Sequence, residues 1–166
     1  MQKLIKDGAV VDDHWTVLKN ASGPEVLQAV PGKNLIVPMQ FWQDFGDELL
    51  DYAVGVAIWL DSHEEVKHIG DGLRSLQLIA LNFPVFSDGR SYTNARELRE
   101  QLGFEGELRA IGDVLRDQLF YMAGCGFNAF SLRHDQDPEQ SLRSLKDFST
   151  NYQATVLEPA PLFRRR

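Results

Sequence analysis

Side chains suited to acid–base and anion-binding chemistry are concentrated between Phe86 and Phe120, in the stretch FSDGRSYTNARELREQLGFEGELRAIGDVLRDQLF. Its cationic residues are all arginines, whose planar guanidinium groups bind carboxylates and other oxyanions through paired hydrogen bonds. Interleaved acids and arginines are also typical of a solvated, salt-bridged surface. The stretch therefore predicts an anion site, a docking surface, or simply the polar ends of an α/β core.

Length and composition limit the class of protein. The chain has 166 residues, 43% of them hydrophobic, and a formal net charge of −7. One domain is expected, and nucleic acid is excluded as a partner because its binding depends largely on neutralising phosphates. We divide the chain into an N-terminal hairpin and connector (1–37), a core of βα repeats (38–149) and an extended tail (150–166). The three arginines at the end of the tail are expected to be solvated.

Several chemistries are excluded by what the sequence lacks. Cys125 is the only cysteine, which rules out an internal disulfide, a zinc ribbon or an iron–sulfur cluster bound by this chain alone. HEEVKH at 63–68 misses the zinc-protease spacing by one position, and no glycine-rich nucleotide loop is present. We expect no metal and no cofactor. The first residues lack a signal segment and no apolar run reaches membrane length, so a cytoplasmic protein without membrane contact is expected.

Hydrophobic patterning predicts an α/β fold. Residues 4–18 resemble a hairpin, and a helix is expected to start near Pro38. Four predicted strands, the first of them a continuous apolar run, then alternate with helical segments, which predicts four successive βα units forming a parallel sheet. The predicted strands are residues 54–60, 76–83, 107–112 and 127–133. A half-barrel and a small open sheet remain alternatives. The exposed edges of either would be covered by the N-terminal segment or by a second subunit, so a homodimer is plausible.

The helices between these strands have local start and stop signals. Ser62 and Glu65 have the spacing of a capping box. The helix that follows Ser91 is expected to end at Gly103 in a left-handed conformation. Residues 113–124 are the next predicted helix, and Asp137 with Pro138 opens a last helix that reaches about Phe148.

Ligands of parallel α/β folds bind at the carboxyl ends of the strands, which directs attention to four loops. Arg90 and Arg116 would hold an oxyanion there, while Asp88, Asp113 or His134 would do acid–base work. The alternative is structural, with Asp88-Gly89 as a turn and with Ser91 and Asp113 as helix caps. The four loops are Asp61-Ser62-His63, Ser87–Ser91, Gly112-Asp113 with Arg116 and Asp117, and Arg133-His134-Asp135.

The segment from about Leu78 to Arg133 resembles a bacterial family of unknown function, on the spacing of its D-G-R, GELRA and GDVLRDQ motifs. Genes of that family commonly lie beside assimilatory sulfite reductase, and its members are sometimes labelled probable oxidoreductases of sulfite reduction. Ala123-Gly124 departs mildly from its pattern. The resemblance points to these residues of the present chain: Asp88, Gly89, Arg90, Arg96, Arg99, Arg109, Gly112, Asp113, Arg116, Asp117 and Gln118.

The resemblance implies a role in sulfite reduction, a six-electron reaction that needs haem, iron–sulfur or flavin centres. A chain with one cysteine and no flavin motif fits an accessory protein better than the catalyst. The leading expectation is therefore a module that docks on the sulfite-reductase haemoprotein or its electron donor. The alternative is a small enzyme or sensor that binds an oxyanion or a phosphorylated metabolite at the strand-end loops.

Overall fold

The computed structural model describes residues 2–146, so the predicted tail and the end of the last predicted helix lie outside the described residues. No helix in that range is long and apolar enough to cross a bilayer. The strands are β1 (Lys3–Lys6), β2 (Ala9–Asp12), β3 (Trp15–Val17), β4 (Asn34–Pro38), β5 (Gly55–Leu60), β6 (Leu78–Phe83), β7 (Glu107–Gly112) and β8 (Ala129–Phe130). The α-helices are α1 (Met39–Tyr52), α2 (Arg90–Arg96), α3 (Leu119–Cys125) and α4 (Pro138–Lys146).

All eight strands belong to one curled sheet with the order β2-β1-β8-β7-β6-β5-β4-β3. Strands β3 to β8 are parallel and follow each other in sequence order, whereas the hairpin β1–β2 joins β8 antiparallel. The prediction of a parallel sheet built from four βα units is confirmed in part. The four predicted strands are β5 to β8, but β3 and β4 extend the parallel region and the predicted hairpin completes the sheet in a half-barrel shape.

The two faces of the sheet differ in what covers them. Parallel neighbours joined by crossovers of one hand place every connecting helix on the same face. That outer face has the large core, in which Leu81 of β6 and Leu108 of β7 pack against Leu98 and Leu119 from the helices. The inner, concave face has a smaller cluster of alternate residues, with Ala57 and Ala80 beside the indoles of Trp15 and Trp59. Small residues at these positions leave room for the two large rings.

The curled sheet brings its own edges together. The edge strands β2 and β3 are consecutive in the chain, and only Asp13 and His14 lie between them. A trans peptide advances the chain by 3.8 Å, so Asp12 and Trp15 are at most about 11 Å apart between Cα atoms. The hairpin meanwhile covers the free edge of β8 through β1. The N-terminal hairpin therefore covers the β8 edge of the parallel region, and β2 and β3 are the edges of the complete sheet.

A buried ion cluster fixes the inside of this curl. Arg109 of β7 is 2% exposed and donates from NH1 to Asp13 Oδ1 at 3.0 Å. Its Nε donates to Glu107 Oε1 at 2.9 Å, and Lys6 Nζ lies 3.1 Å from the second oxygen of Glu107. Two cations and two carboxylates thus neutralise each other. Asp13 is 96 residues away in sequence, so the cluster ties the β2–β3 link to the centre of the sheet.

The helix boundaries differ from the local signals in two places. Gly103 does adopt a left-handed conformation, with φ 68°, at the end of the α2 region, which continues as a π-helix over Glu97–Gln101. Ser62, however, caps no helix, because the next helical segment is a 3₁₀ helix over Val66–Ser75. The predicted helix 113–124 starts later, as a 3₁₀ turn at Arg116–Gln118 that leads into α3.

The buried ion cluster makes a stability prediction. Replacing Arg109 with leucine leaves the Asp13 and Glu107 carboxylates buried with too little positive charge, and breaking such a pair costs about 3–5 kcal/mol. We expect urea unfolding of Arg109→Leu to show a loss of that size. The control is Arg96→Leu, whose surface pair with Glu100 contributes at most about 0.5 kcal/mol. A loss below about 1 kcal/mol for Arg109→Leu would contradict the role given to the cluster.

Candidate functional site

The loops that follow strands β5 to β8 form one continuous surface, which we call the rim. It consists of residues 61–63, 84–91, 112–118 and 133–137. Because these strands are parallel neighbours, their carboxyl ends meet at the same edge of the sheet. The rim contains six aspartates, at 61, 88, 113, 117, 135 and 137, against three arginines, at 90, 116 and 133.

Arg90 joins the loops after β5 and β6. Two of its guanidinium nitrogens donate to the Asp88 carboxylate, Nε to Oδ1 at 3.1 Å and Nη2 to Oδ2 at 2.8 Å. Nη2 also donates to Ser62 Oγ at 2.9 Å. Asn82, the second-last residue of β6, donates to Asp61 Oδ1 at 3.1 Å. The buried Ser62 side chain therefore connects two loops. The Ser91 hydroxyl donates to the carbonyl oxygen of Asn82, so Ser91 is not the cap of α2.

Arg133 joins the loops after β7 and β8. Its NH1 donates to Asp113 Oδ1 at 2.8 Å, and Nε and NH2 donate to the two oxygens of Asp135 at 2.6 and 2.7 Å. Both arginines thus have carboxylate partners within the rim. The interpretation of Asp113 as the cap of the next helix is wrong, because its two oxygens accept from Arg133 and from the backbone of another loop.

That other loop presents an aromatic side chain to solvent. The N–H of Phe86 donates to Asp113 Oδ2 at 2.8 Å, and its carbonyl oxygen accepts from Gln118 Nε2 at 2.7 Å. Both backbone groups are thus held by side chains of the loop after β7, yet the Phe86 side chain is 56% exposed. Val85 and Tyr121 are exposed as well, and Tyr121 lies one helical turn beyond Gln118.

The other rim residues are arranged around a small polar cleft. Arg116 and Asp117 line it together with Arg133 and Asp135, and its volume is about 330 Å³. The backbone N–H of Arg116 donates to Gln136 Oε1 at 3.1 Å. His134 is exposed nearby, whereas His63 lies in the loop after β5, with Nδ1 3.9 Å from Asp61 Oδ2. Among residues 2–146, no three His, Cys, Asp or Glu side chains are grouped as metal ligands.

Three of the arginines indicated by the family resemblance lie away from the rim. Arg96 is on the surface of α2, paired with Glu100 at 3.5 Å, and Arg109 is inside the curl. Arg99 is at the opposite end of the sheet, where it donates to the carbonyls of Phe104, Gly106 and Gly126. These carbonyls precede β7 and β8, so Arg99 holds the amino-end loops together.

The two glycines of the predicted site have different roles. Gly89 directly precedes α2 and has an ordinary backbone conformation, with φ −93°. Gly112 ends β7 with φ 92°, and a Cβ atom there would collide with the Asn82 side chain and the Phe83 carbonyl oxygen. Only glycine fits this close approach of two strand ends. Gly112 thus allows the loops that carry Asp113 and Phe86 to lie side by side.

Hydrogen bonds from the arginines lower the pKa of two rim acids, Asp88 and Asp135. Hydrogen bonds from Arg90 and then from Ser62 hold the pKa of Asp88 well below its usual value. Hydrogen bonds from Arg133 lower the pKa of Asp135 to about 2. The same hydrogen bonds to Asp135, and secondarily those to Asp113, raise the pKa of Arg133. Both carboxylates are therefore ionised at neutral pH and act as permanent partners of the arginines. A general base near neutrality would need a pKa raised toward 7.

Two features of the site are not predicted from the local sequence. Phe86 is absent from the predicted site residues, although a large apolar residue immediately before Ser87-Asp88-Gly89 in a loop could have indicated an exposed aromatic group. Gln118 appeared only through the family resemblance, and its contact with Phe86 spans 32 residues. Contacts of that range cannot be inferred from local spacing.

The two arginine clusters give matched predictions for ionisation. In Arg133→Gln the pKa of Asp135 should rise from about 2 toward the 3.8 of an unperturbed aspartate, because its hydrogen bonds are lost. A carboxyl with a depressed pKa contributes stability above pH 3.8, and that contribution disappears as the pH falls through about 2. The measurement is a carboxyl-carbon NMR titration. Arg90→Gln is the control, since it should move the pKa of Asp88 and leave Asp135 unchanged. Equal pKa shifts of Asp88 and Asp135 in both variants would contradict the assignment of the two acids to separate clusters.

Comparison with known proteins places the chain in a family. No curated protein matches it. A family model for bacterial proteins of unknown function, DUF934, matches residues 57–163. The match includes all four rim loops and leaves out the hairpin, β3 and β4. Because it extends over more than half of the sequence, this chain belongs to the DUF934 family of bacterial proteins of unknown function.

Proposed function

We propose that this protein is an accessory of assimilatory sulfite reduction that docks, through the rim, on the sulfite-reductase haemoprotein or on its electron donor. The single observation that supports docking is Phe86, an exposed aromatic side chain whose backbone N–H and carbonyl are both held by fixed side chains. Aromatic anchors of this kind are enriched at the centres of protein–protein interfaces. Because the loop is already ordered, little conformational entropy is lost on binding.

The surroundings of Phe86 define the partner surface. Val85, next to Phe86 in the chain, is also exposed, and Tyr121 is exposed one turn beyond Gln118, which binds the Phe86 carbonyl. The aspartates of the rim outnumber its arginines by six to three. The complementary surface is an apolar pocket bordered by lysines and arginines. Charge complementarity of this type mainly accelerates association and selects the partner.

The alternative function, binding of an oxyanion or phosphorylated metabolite, has less support. Arg90 and Arg133 are each engaged with aspartate, so an anion would have to displace an internal carboxylate. The polar cleft beside Arg116 is lined by three aspartates and two arginines, which repels an anion rather than attracting it. The rim arginines thus fit a structural role that orders the docking loops.

The assignment to sulfite reduction rests on the family resemblance and on the chemistry of the chain. Cys125, the only cysteine, is buried in the core, and burial raises the pKa of its thiol. One cysteine cannot bind an iron–sulfur cluster, which usually takes four. A protein of this composition contributes to a six-electron reduction by binding a protein that contains the redox centres.

The docking proposal predicts a loss of affinity when Phe86 is shortened. The measurement is the dissociation constant for purified sulfite-reductase haemoprotein, or for its electron donor, immobilised on a biosensor surface. Phe86→Ser should bind at least about tenfold more weakly than the unmodified chain, as expected for an anchor residue. Leu102→Ser is the control, because Leu102 is also exposed but lies at the other end of the sheet. Affinity should also fall with added salt. Failure of the unmodified chain to bind either protein would refute the proposal, as would an unchanged affinity for Phe86→Ser.

A further inference from the structure

An open apolar groove lies at the end of the sheet opposite the rim. It runs between α1 and the 3₁₀ helix Val66–Ser75, along the amino ends of β5 and β6, and its volume is about 610 Å³. Its walls include Trp42, Val56 and Leu76, and its border is formed by Leu50 and Val54. These two are 72% and 75% exposed, the highest values among the large apolar side chains of residues 2–146. Such exposed apolar surface favours an occupant.

The helix beside the groove is uniformly acidic. Helix α1 contains Asp44, Asp47, Glu48 and Asp51 and no basic residue. Asp47 lines the groove, and Asp51 lies four positions further along the helix, on the same side. Within the described part of the chain, none of the four carboxylates forms a salt bridge, in contrast to the aspartates that pair with Arg90 and Arg133 at the rim. The groove is therefore suited to a segment with apolar residues next to cations.

After Lys146 the sequence has one segment of that chemistry. Residues 162–166 read Leu-Phe-Arg-Arg-Arg, two large apolar residues followed by three arginines. We propose that the segment Leu162–Arg166 of this chain docks in the groove. In this arrangement Leu162 and Phe163 would cover Leu50 and Val54. The three arginines, which the sequence alone predicts to be solvated, would instead lie opposite Asp47 and Asp51.

The length of the connecting chain permits this contact. Helix α4 ends at Lys146, and residues 147–161 separate it from the segment. Fifteen extended residues reach about 50 Å, which exceeds the diameter of about 40 Å expected for a compact domain of this size. Opposite points of such a domain are about 60 Å apart along its surface, so the connecting chain reaches the groove from all but the far side of the domain. The contact buries apolar surface, and it neutralises carboxylates that form no salt bridge within residues 2–146.

Disulfide trapping in the full-length chain tests this inference. Cys125 is buried, so two introduced cysteines would be the only accessible thiols. Under mild oxidation, Val54→Cys with Phe163→Cys should form an intramolecular disulfide, which requires Cα atoms within about 7 Å. The matched control pairs Phe163→Cys with Val85→Cys, which is also exposed but lies on the rim. Both substituted valines are exposed, so neither change should disturb folding.

The disulfide between positions 54 and 163 should form at least about tenfold faster than the control disulfide between positions 85 and 163. The control rate reports the local concentration that the connecting chain alone supplies. Adding Asp47→Lys and Asp51→Lys, or raising the salt to about 1 M, should remove most of that advantage. Equal closure rates for the two pairs would overturn the proposal. A disulfide that joins two chains would overturn it too, since a second copy would then fill the groove. Neither outcome depends on whether the rim binds a partner.

Discussion

The ion cluster of Arg109 with Asp13, Glu107 and Lys6 is the constraint on which the remaining structure depends. A guanidinium that is 2% exposed is tolerable only if its charge is balanced by well-placed carboxylates. Asp13 provides one of them from the link between β2 and β3, and this holds the two edges of the sheet together around the concave face. The crossovers between parallel strands place the connecting helices of residues 2–146 on the outer face of the sheet. The polar loops are then left at the two ends of the sheet.

The rim uses the same chemistry in a solvated setting. Arg90 connects two loops through Ser62, and Arg133 connects two loops through Asp113, which continues the connection to the backbone of Phe86. At the amino ends, Arg99 has the corresponding role with backbone carbonyls instead of carboxylates. Of the five arginines between Phe86 and Phe120, Arg90 and Arg99 tie loops together and Arg109 is the buried charge. Arg96 pairs with Glu100 on α2, and Arg116 lines the polar cleft. An ordered aromatic side chain on an acidic surface is the result, and it favours a protein partner over a small anion.

The features of this fold that can be predicted are those that depend on residues close together in the sequence. A continuous apolar run indicates β5 and a largely apolar segment indicates β6, whereas β7 includes Glu107 and Arg109 and is predicted from the strand–helix alternation. Gly103 marks the end of the α2 region because its left-handed conformation suits glycine. The sequence does not assign β3 and β4 to the parallel sheet, because β3 falls in the segment predicted as a hairpin and β4 runs directly into α1. At the site, Ser62 and Asp113 matched capping patterns, whereas their partners Arg90 and Arg133 lie 28 and 20 residues away. The order of the loops around the rim followed from topology, but these long-range contacts did not.

The most direct test of the central claim, that the rim binds a protein and not a small anion, is native mass spectrometry of the full-length chain isolated gently from its own host. We expect a complex whose additional mass equals that of the sulfite-reductase haemoprotein or its electron donor. The complex should dissociate as ionic strength rises, because the rim is acidic and exposed charges are screened by salt. A bare chain that retains a small additional mass would contradict the account, and that mass would identify the anion to which the rim arginines bind.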